Sequence, residues 1–222
     1  MRTISKITIG LVSASLLVGG LAGCTTASTP EQSTAPSAAA DPKPIASIPA
    51  LEGIDTQVTL DQGFVDALTS LGLTPGVTGT ATLVDGALHF PITGGNVDYY
   101  DPAEKYRPYV QGEIDHDGSG ITLTGGDTVV GLSDFKIDPG TSRLTGTVTA
   151  NGELVANDVF IFNLDGSTLK PLQTDADGNA VLEGTRVLIS SDAAALLNKT
   201  FNTDAVTDTL LVGIAKITAH AK

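Results

Sequence analysis

The stretch that decides the fold is YVQGEIDHDGSGITL, residues Tyr109–Leu123. In its first half Val110 and Ile114 alternate with polar residues, and the apolar residues of its second half do the same. Because successive side chains of a strand point to opposite faces, this period of two predicts two β-strands, each with one apolar face. The polar residues between them, which include His116, predict a turn between the two strands.

The same alternation recurs on both sides of this stretch. Further strands are predicted at Val58–Leu60, Thr80–Leu83, Ala87–Ile92, Asp127–Leu132, Asp134–Ile137, Arg143–Ala150, Glu153–Ala156, Val159–Leu164, Val181–Ile189 and Leu210–Ala219. The dipeptides Asp85-Gly86 and Asn151-Gly152 predict tight hairpins. Thr74-Pro75-Gly76 predicts a turn, and Gly94-Gly95 predicts the end of a strand.

Helical spacing is confined to two short segments. One is Gln62–Leu71, for which Asp61 can act as the N-cap, and the other is Asp192–Leu197. Many short strands separated by glycine turns are typical of an antiparallel sandwich or barrel. We therefore predict an all-β fold, a single domain from Leu51 to Lys222 in the form of a β-sandwich or a barrel-like sheet.

Composition limits the possible functions. The chain has 222 residues, 25 acidic and 12 basic residues, and a formal net charge of -13. Nucleic acid is excluded as a partner because phosphate binding requires clustered Lys and Arg, which the sequence lacks. The single cysteine cannot form an internal disulfide. The sequence also lacks the short motifs of hydrolases, zinc proteases and nucleotide-binding enzymes, so we predict that the protein is not an enzyme.

The N-terminus has the pattern of a secretory signal. Arg2 and Lys6 precede an apolar run, Ile7–Leu21, that ends in Leu21-Ala22-Gly23-Cys24. This ending resembles the lipobox of bacterial lipoproteins, in which the cysteine thiol receives a diacylglycerol with acyl chains such as palmitate and the signal is cut just before the cysteine. The resemblance implies a signal peptide at residues 1–23 and a protein attached through Cys24 to the extracytoplasmic face of the cell membrane. The alternative is an ordinary cleaved signal, with a secreted protein and a chance cysteine.

Residues 24–50 are rich in Thr, Ser, Ala and Pro. Their low apolar content predicts a flexible tether that holds the domain away from the membrane. The alternative is that an N-terminal strand lies within this segment.

The polar stretch around His116 also has the spacing of a cation site. Asp115, Asp117 and Ser119 alternate as oxygen ligands do in the first half of a calcium loop, which predicts calcium at these three residues. The alternative is a hairpin turn whose Asp side chains bond their own backbone. His89 and His220 have no ligand partner at metal-binding spacing and are predicted to be solvated.

All four tyrosines of the chain lie within eleven residues. They are Tyr99, Tyr100, Tyr106 and Tyr109. A tyrosine combines an apolar ring with a polar hydroxyl group, which suits a binding surface. The alternative is that the rings cover one end of the sheet.

Four short elements resemble the Htaa domain, a bacterial surface domain that binds haem. They are Phe90-Pro91-Ile92-Thr93-Gly94-Gly95, His116-Asp117-Gly118, the segment Leu132–Pro139, and Val181–Leu197. The resemblance covers roughly the last two thirds of the chain. It implies an Htaa-like β domain whose ligand is haem.

Members of this family ligate haem through a tyrosine near the start of the domain, supported by the histidine of the His-x-Gly element. This chain departs from the pattern, because Ala67 stands where the tyrosine is expected. The resemblance therefore transfers His116 alone, with Tyr109 or Tyr100 as replacement ligands. Two functions follow: a lipid-anchored surface protein that captures haem or another small ligand, or a structural or adhesive surface domain that binds surface proteins, with calcium as a stabilising ion.

Overall fold

The structure, a computed structural model, describes residues 42–104 and 106–220. All of these residues belong to one compact unit, Asp41–Lys222. The predicted signal peptide, Cys24 and most of the predicted tether lie outside the described residues. None of the described helices combines the length and the apolar character that crossing a membrane requires.

The described chain is built from strands and two helices. The strands are β1 Ala46–Ile48, β2 Gly53–Leu60, β3 Thr74–Gly79, β4 Thr82–Val84, β5 Ala87–Pro91, β6 Gly94–Tyr99, β7 Val110–Gly125, β8 Thr128–Asp138, β9 Arg143–Ala150, β10 Glu153–Asp165, β11 Gln173–Thr174, β12 Ala180–Ile189 and β13 Leu211–Ala219. Helix α1 is Gln62–Ser70 and helix α2 is Ser191–Phe201, and a short 3₁₀ turn spans Gly166–Thr168. The predicted all-β class is confirmed.

The strands form one antiparallel sheet in the order β1-β6-β7-β8-β9-β10-β12-β13-β2-β5-β4, with β3 paired to β7 and β11 to β12. The sheet curls into a half-barrel. Its apolar faces meet inside, where Phe90 and Phe162 pack edge-on or tilted against Phe135. Ile161, Val130 and Val148 are almost fully buried around them. The alternation of apolar residues along each strand therefore produces one continuous core.

The predicted hairpin around His116 is wrong, because residues Val110–Gly125 form one strand. Between the pairs His116–Phe135 and Gly120–Ser133, β7 advances four residues while β8 advances two. This bulge accommodates the extra polar residues, and Gly118 adopts a φ of 72° within it. The glycines that predicted a turn thus allow a bulge. On its other edge, β7 pairs with β6 before the bulge and with β3 after it.

Similar bulges join other segments that the sequence separated. Asp134 has a φ of 52° within β8, and Asp158 has the same φ within β10, so that each strand replaces two predicted ones. Thr74-Pro75-Gly76 is part of β3 rather than a turn, since proline is tolerated in a strand with only one pairing neighbour. Gly94-Gly95 was predicted to end a strand, but β5 ends at Pro91 and the two glycines begin β6.

The two hairpin dipeptides and the two predicted helices are confirmed. Asp85-Gly86 and Asn151-Gly152 have the positive φ values of tight hairpins. Asp61 caps α1 by accepting from the backbone N–H of Gly63. The cap of α2 is Ser190. These features depend on neighbours in sequence, which is why they could be predicted.

The predicted boundary between tether and domain is wrong. Residues Ala46–Ile48 form β1, which pairs antiparallel with β6. The backbone N–H of Ile45 donates to the carbonyl of Tyr99, and Ile48 packs against the core. The strand that was the alternative for this segment is therefore present, and the folded domain begins before Leu51.

Candidate ligand cavity

An apolar cavity of about 800 Å³ opens at one end of the curled sheet. Its walls come from β1, β6, the start of β7, β12, β13 and the segment that follows β10. Aliphatic side chains dominate the lining. They include Ile48, Val97, Ile114, Leu164, Leu182 and Ile217. A preformed apolar hollow of this size falls within the range of small-molecule sites.

Two of the four tyrosines line this cavity. The rings of Tyr99 and Tyr109 meet edge to face with centroids 6.0 Å apart. Tyr99 is buried, and its hydroxyl oxygen accepts from the backbone N–H of Leu172 at 3.4 Å. Tyr100 and Tyr106 form a separate pair with centroids 4.6 Å apart and are not part of the lining. The tyrosine cluster thus divides into a cavity pair and a neighbouring pair.

Arg107 is the charged residue of the lining. Its guanidinium group lies 5.2 Å from the ring centroid of Tyr109. The same group donates to the carbonyls of Pro102, Glu104 and Tyr106, which fixes the loop between β6 and β7. Burial, and to a smaller degree Tyr99, raise the pKa of Tyr109, and Arg107 opposes this shift. The phenol of Tyr109 is therefore neutral at physiological pH.

His116 lies elsewhere, in the core. Its side chain is 1% exposed and borders a separate void of about 40 Å³. Nε2 lies 2.7 Å from Oγ1 of Thr56, and Nδ1 lies 3.2 Å from the carbonyl oxygen of Phe135. Since a carbonyl only accepts, Nδ1 carries the proton and Nε2 accepts from Thr56. Burial lowers the pKa of His116 to about 4, so the ring is neutral.

The structure therefore does not bring Tyr109 and His116 to one cavity. Both nitrogens of His116 have protein partners, so a supporting hydrogen bond to a tyrosine ligand would require a rearrangement. Ala67 lies on α1 and is not part of the lining of either cavity. His116 continues the inward-facing alternation of Val110 and Ile114, so it faces the core between β7 and its neighbours, whereas Tyr109 lies just before the strand begins.

The three residues of the predicted calcium site have different surroundings. Ser119 is fully buried, and its hydroxyl donates to the carbonyl of His116. Asp117 is exposed. Asp115 lies next to Lys136, with Oδ1 3.8 Å from Nζ, and burial raises its pKa, followed by the repulsion of Glu113.

Within residues 42–104 and 106–220 there is no group of three or more His, Cys, Asp or Glu side chains that could hold a metal ion. The loop on which the calcium prediction depended is part of a strand. Calcium at Asp115, Asp117 and Ser119 stays a prediction to which the geometry adds no support.

The remaining two histidines have partners. His89 is partly buried and forms an ion pair with Asp55 on the neighbouring strand β2. His220 is exposed and hydrogen-bonds through Nδ1 to Oδ1 of Asn179 at 2.9 Å. The prediction that His89 is solvated is wrong, because strand pairing places Asp55 beside it and partly buries it.

Much of the cavity wall had no signal in the sequence. Its residues extend from Ala46 to Ala219, so only folding brings them together. Leu169 and Leu172 lie outside the predicted strands, and nothing in the sequence indicated that they belong to the wall. The tyrosine cluster was the signal that did point to the cavity.

Comparison with known proteins gives similarity in fold. No family model and no curated protein matches the chain. The chain is similar to the crystal structure of the C-terminal domain of HtaA from Corynebacterium glutamicum, with 16% identity and a TM-score of 0.52 over 77% of this chain and 97% of that one. A domain-swapped dimer of a variant of the same domain aligns with a TM-score of 0.45 at 17% identity, over 70% of this chain and 90% of that one. The first match agrees with the fold that the Htaa-like elements implied.

Proposed function

We propose that this protein is a non-enzymatic binding protein of the cell surface that captures a small apolar molecule in its end cavity. The observation that carries the proposal is the cavity of about 800 Å³ with its aliphatic walls. Protein interiors are close-packed, and unfilled apolar volume lowers stability. A β domain that retains so large a hollow is therefore best explained by a ligand that fills it.

The position of the protein supports capture rather than catalysis. The signal segment and Cys24 would place the domain outside the cytoplasm on a lipid anchor. Among the described residues, the lining has one charged side chain, Arg107, and neither cavity is lined by the paired acid, base and nucleophile of a catalytic site.

Haem is the candidate ligand that the Htaa resemblance supplies. Its iron would be ligated by Tyr109, which borders the cavity, since phenolate is an established haem ligand. Arg107 beside the ring would stabilise the phenolate. The raised pKa of Tyr109 acts against ligation, because the proton must be lost before the oxygen can bind iron.

Cavity binding is tested with residues 25–222, which include the complete folded unit, and the neutral apolar dye Nile red. The cavity-filling variant Ala215→Leu should lose dye binding, while Ala195→Leu on the exposed face of α2 should keep it. Equal binding by both variants, or no saturable binding by the unchanged protein, would contradict the proposal. Thermal unfolding of both variants checks that each remains folded.

Haem is tested by spectral titration of the same protein. If haem is the ligand, a saturable one-to-one complex forms, and Tyr109→Phe removes its ligand-to-iron charge-transfer band while Tyr106→Phe does not. His116→Ala should change the spectrum little, because His116 borders the other void. A complex that is unchanged in Tyr109→Phe would show that another residue ligates the iron.

A further inference from the structure

We infer that the ligand of the end cavity is a single-chain amphiphile with an anionic headgroup, whose acyl chain lies along the aliphatic walls and whose headgroup binds Arg107. This inference rests on the proposed function and specifies the class of ligand. It follows from three features: the charge of the lining, the hydrogen bonds of the Arg107 guanidinium group, and the aliphatic side chains of the walls.

The charge of the lining is opposite to the charge of the protein. The chain has 25 acidic residues and a net charge of -13, yet no carboxylate is among the described residues that line the cavity. The one charged side chain there is the cation Arg107. An anion that enters the cavity therefore meets a positive group and no carboxylate among the described lining residues, which favours an anionic headgroup over a cationic one.

Arg107 retains the capacity to bind an anion. Its hydrogen bonds to described residues use both N–H groups of Nη1 and one of Nη2, and all three acceptors are neutral carbonyls. The positive charge is thus not neutralised by these partners. Of the five donors of a guanidinium group, Nε–H and one N–H of Nη2 donate to no described residue, and a carboxylate or phosphate can accept from such donors.

The loop carbonyls also hold Arg107 in place. A long cation on a free side chain loses much rotamer entropy when it binds, whereas a side chain that is already fixed loses less. The ring of Tyr109 lies under the guanidinium group and adds a cation–π contact. The headgroup position at the cavity mouth is therefore preorganised.

The deeper walls fit a flexible chain. Apart from Tyr99 and Tyr109, no aromatic ring is among the described residues of the lining. The remaining walls consist mainly of branched aliphatic side chains, and polar groups such as Ser47, Gln173 and Thr174 also contribute. A flat aromatic ligand gains most from ring stacking, but an acyl chain can follow irregular aliphatic surfaces and gains by burying its methylene groups.

The test uses four probes with the same chain and different headgroups. Palmitate, hexadecyl phosphate, hexadecanol and hexadecyltrimethylammonium each compete with Nile red for residues 25–222, at concentrations below those at which the probe aggregates. We expect the two anions to compete most strongly and the ammonium probe least. The comparison of palmitate with hexadecyl phosphate shows which source of negative charge the site prefers.

The variant Arg107→Gln should weaken the binding of palmitate about tenfold or more, because it removes a charged hydrogen-bond donor. It should leave the affinity for hexadecanol unchanged. Arg143→Gln is the matched control, since it removes the same charge from a residue outside the lining, where it packs on Phe160. Arg107→Lys keeps the charge and should recover part of the palmitate affinity.

Equal affinity for palmitate and hexadecanol would overturn the inference. The inference would also be overturned if Arg107→Gln lowered the affinities for palmitate and hexadecanol equally, because Arg107 would then serve only to hold the loop. In either case Nile red binding that is sensitive to Ala215→Leu would leave the proposed function standing. Loss of all binding by the unchanged protein would overturn both.

Discussion

His116 shows how one residue can respond to pH through its burial. Its pKa in the folded protein is lowered from 6.5 to about 4, chiefly by burial. Between these two values the unfolded chain binds a proton that the folded protein does not. The stability from neutral His116 is thus complete above pH 6.5 and is lost as the pH falls toward about 4, a change of up to about 3 kcal/mol.

This prediction is measured by urea unfolding between pH 7 and pH 4. His116→Gln should be less stable at pH 7 by about 1–3 kcal/mol and should lose less stability on acidification. His220→Gln, at an exposed site, is the matched control and should follow the unchanged protein. The carboxylates that also titrate in this range are common to all three proteins. Parallel curves for His116→Gln and the unchanged protein would mean that His116 does not titrate as described.

The sequence identified His116 as a notable residue but gave it the wrong surroundings. The alternation that buries Val110 and Ile114 extends to His116, but the Asp and Gly residues of the bulge between His116 and Gly120 are also typical of a hairpin turn, and a turn was predicted there. Tyr109 was placed on the strand beside the candidate site, and it does line the cavity. Nothing in the sequence could show that the two residues border different voids.

At the scale of elements, the two helix caps differ in burial. Ser190 is 1% exposed, accepts from the backbone N–H of Ala193 and donates to the carbonyl of Phe160. Asp61 accepts from Gly63 at a more exposed site. Ser190→Ala should therefore cost about 2 kcal/mol of unfolding free energy, because it removes two hydrogen bonds made by a buried hydroxyl group, and Asp61→Ala about 1 kcal/mol.

Urea unfolding of the two variants at pH 7 compares these costs directly. Ser191→Ala, next to the α2 cap at an exposed position, is the control and should change stability by less than about 0.5 kcal/mol. If Asp61→Ala were the more costly substitution, the assigned difference in burial would be incorrect.

Strand β1 tests where the folded domain begins. It adds backbone hydrogen bonds to β6 and supplies Ile48 to both the core and the cavity wall. A protein that starts at Leu51 should therefore be less stable than one that starts at Pro42, by about 1–3 kcal/mol, and should bind Nile red more weakly.

Thermal unfolding of the two proteins measures this difference. A protein that starts at Thr25 is the control and should match the one that starts at Pro42, since the intervening composition is that of a tether. Equal stability of the Leu51 and Pro42 proteins would return the boundary to its sequence-based position. That position was wrong because a three-residue strand among prolines has too few residues to show a period.

At the scale of the whole molecule, the fold was predictable and the cavity was not. Hairpin dipeptides and alternation act between neighbours, so they specify strands and their antiparallel pairing. The cavity depends on how a thirteen-stranded sheet curls, and its walls join residues from Ala46 to Ala219. Only the tyrosine cluster concentrated part of that site in one segment.

The last prediction concerns attachment to the membrane. If Cys24 carries acyl chains, each buried methylene contributes about 0.8 kcal/mol, so two or more chains hold the protein firmly. A tether would then present the cavity to molecules at or near the membrane surface, where amphiphiles concentrate. The full chain, expressed in a bacterium that processes lipoproteins, should fractionate with membranes and gain mass on labelling with an alkyne palmitate analogue. Cys24→Ser should lose the label, and Ser37→Cys in that variant, which moves the thiol into the tether, should not restore it. Label that persists in Cys24→Ser would place the anchor elsewhere, and a soluble, unlabelled parent protein would favour an ordinary secretory signal.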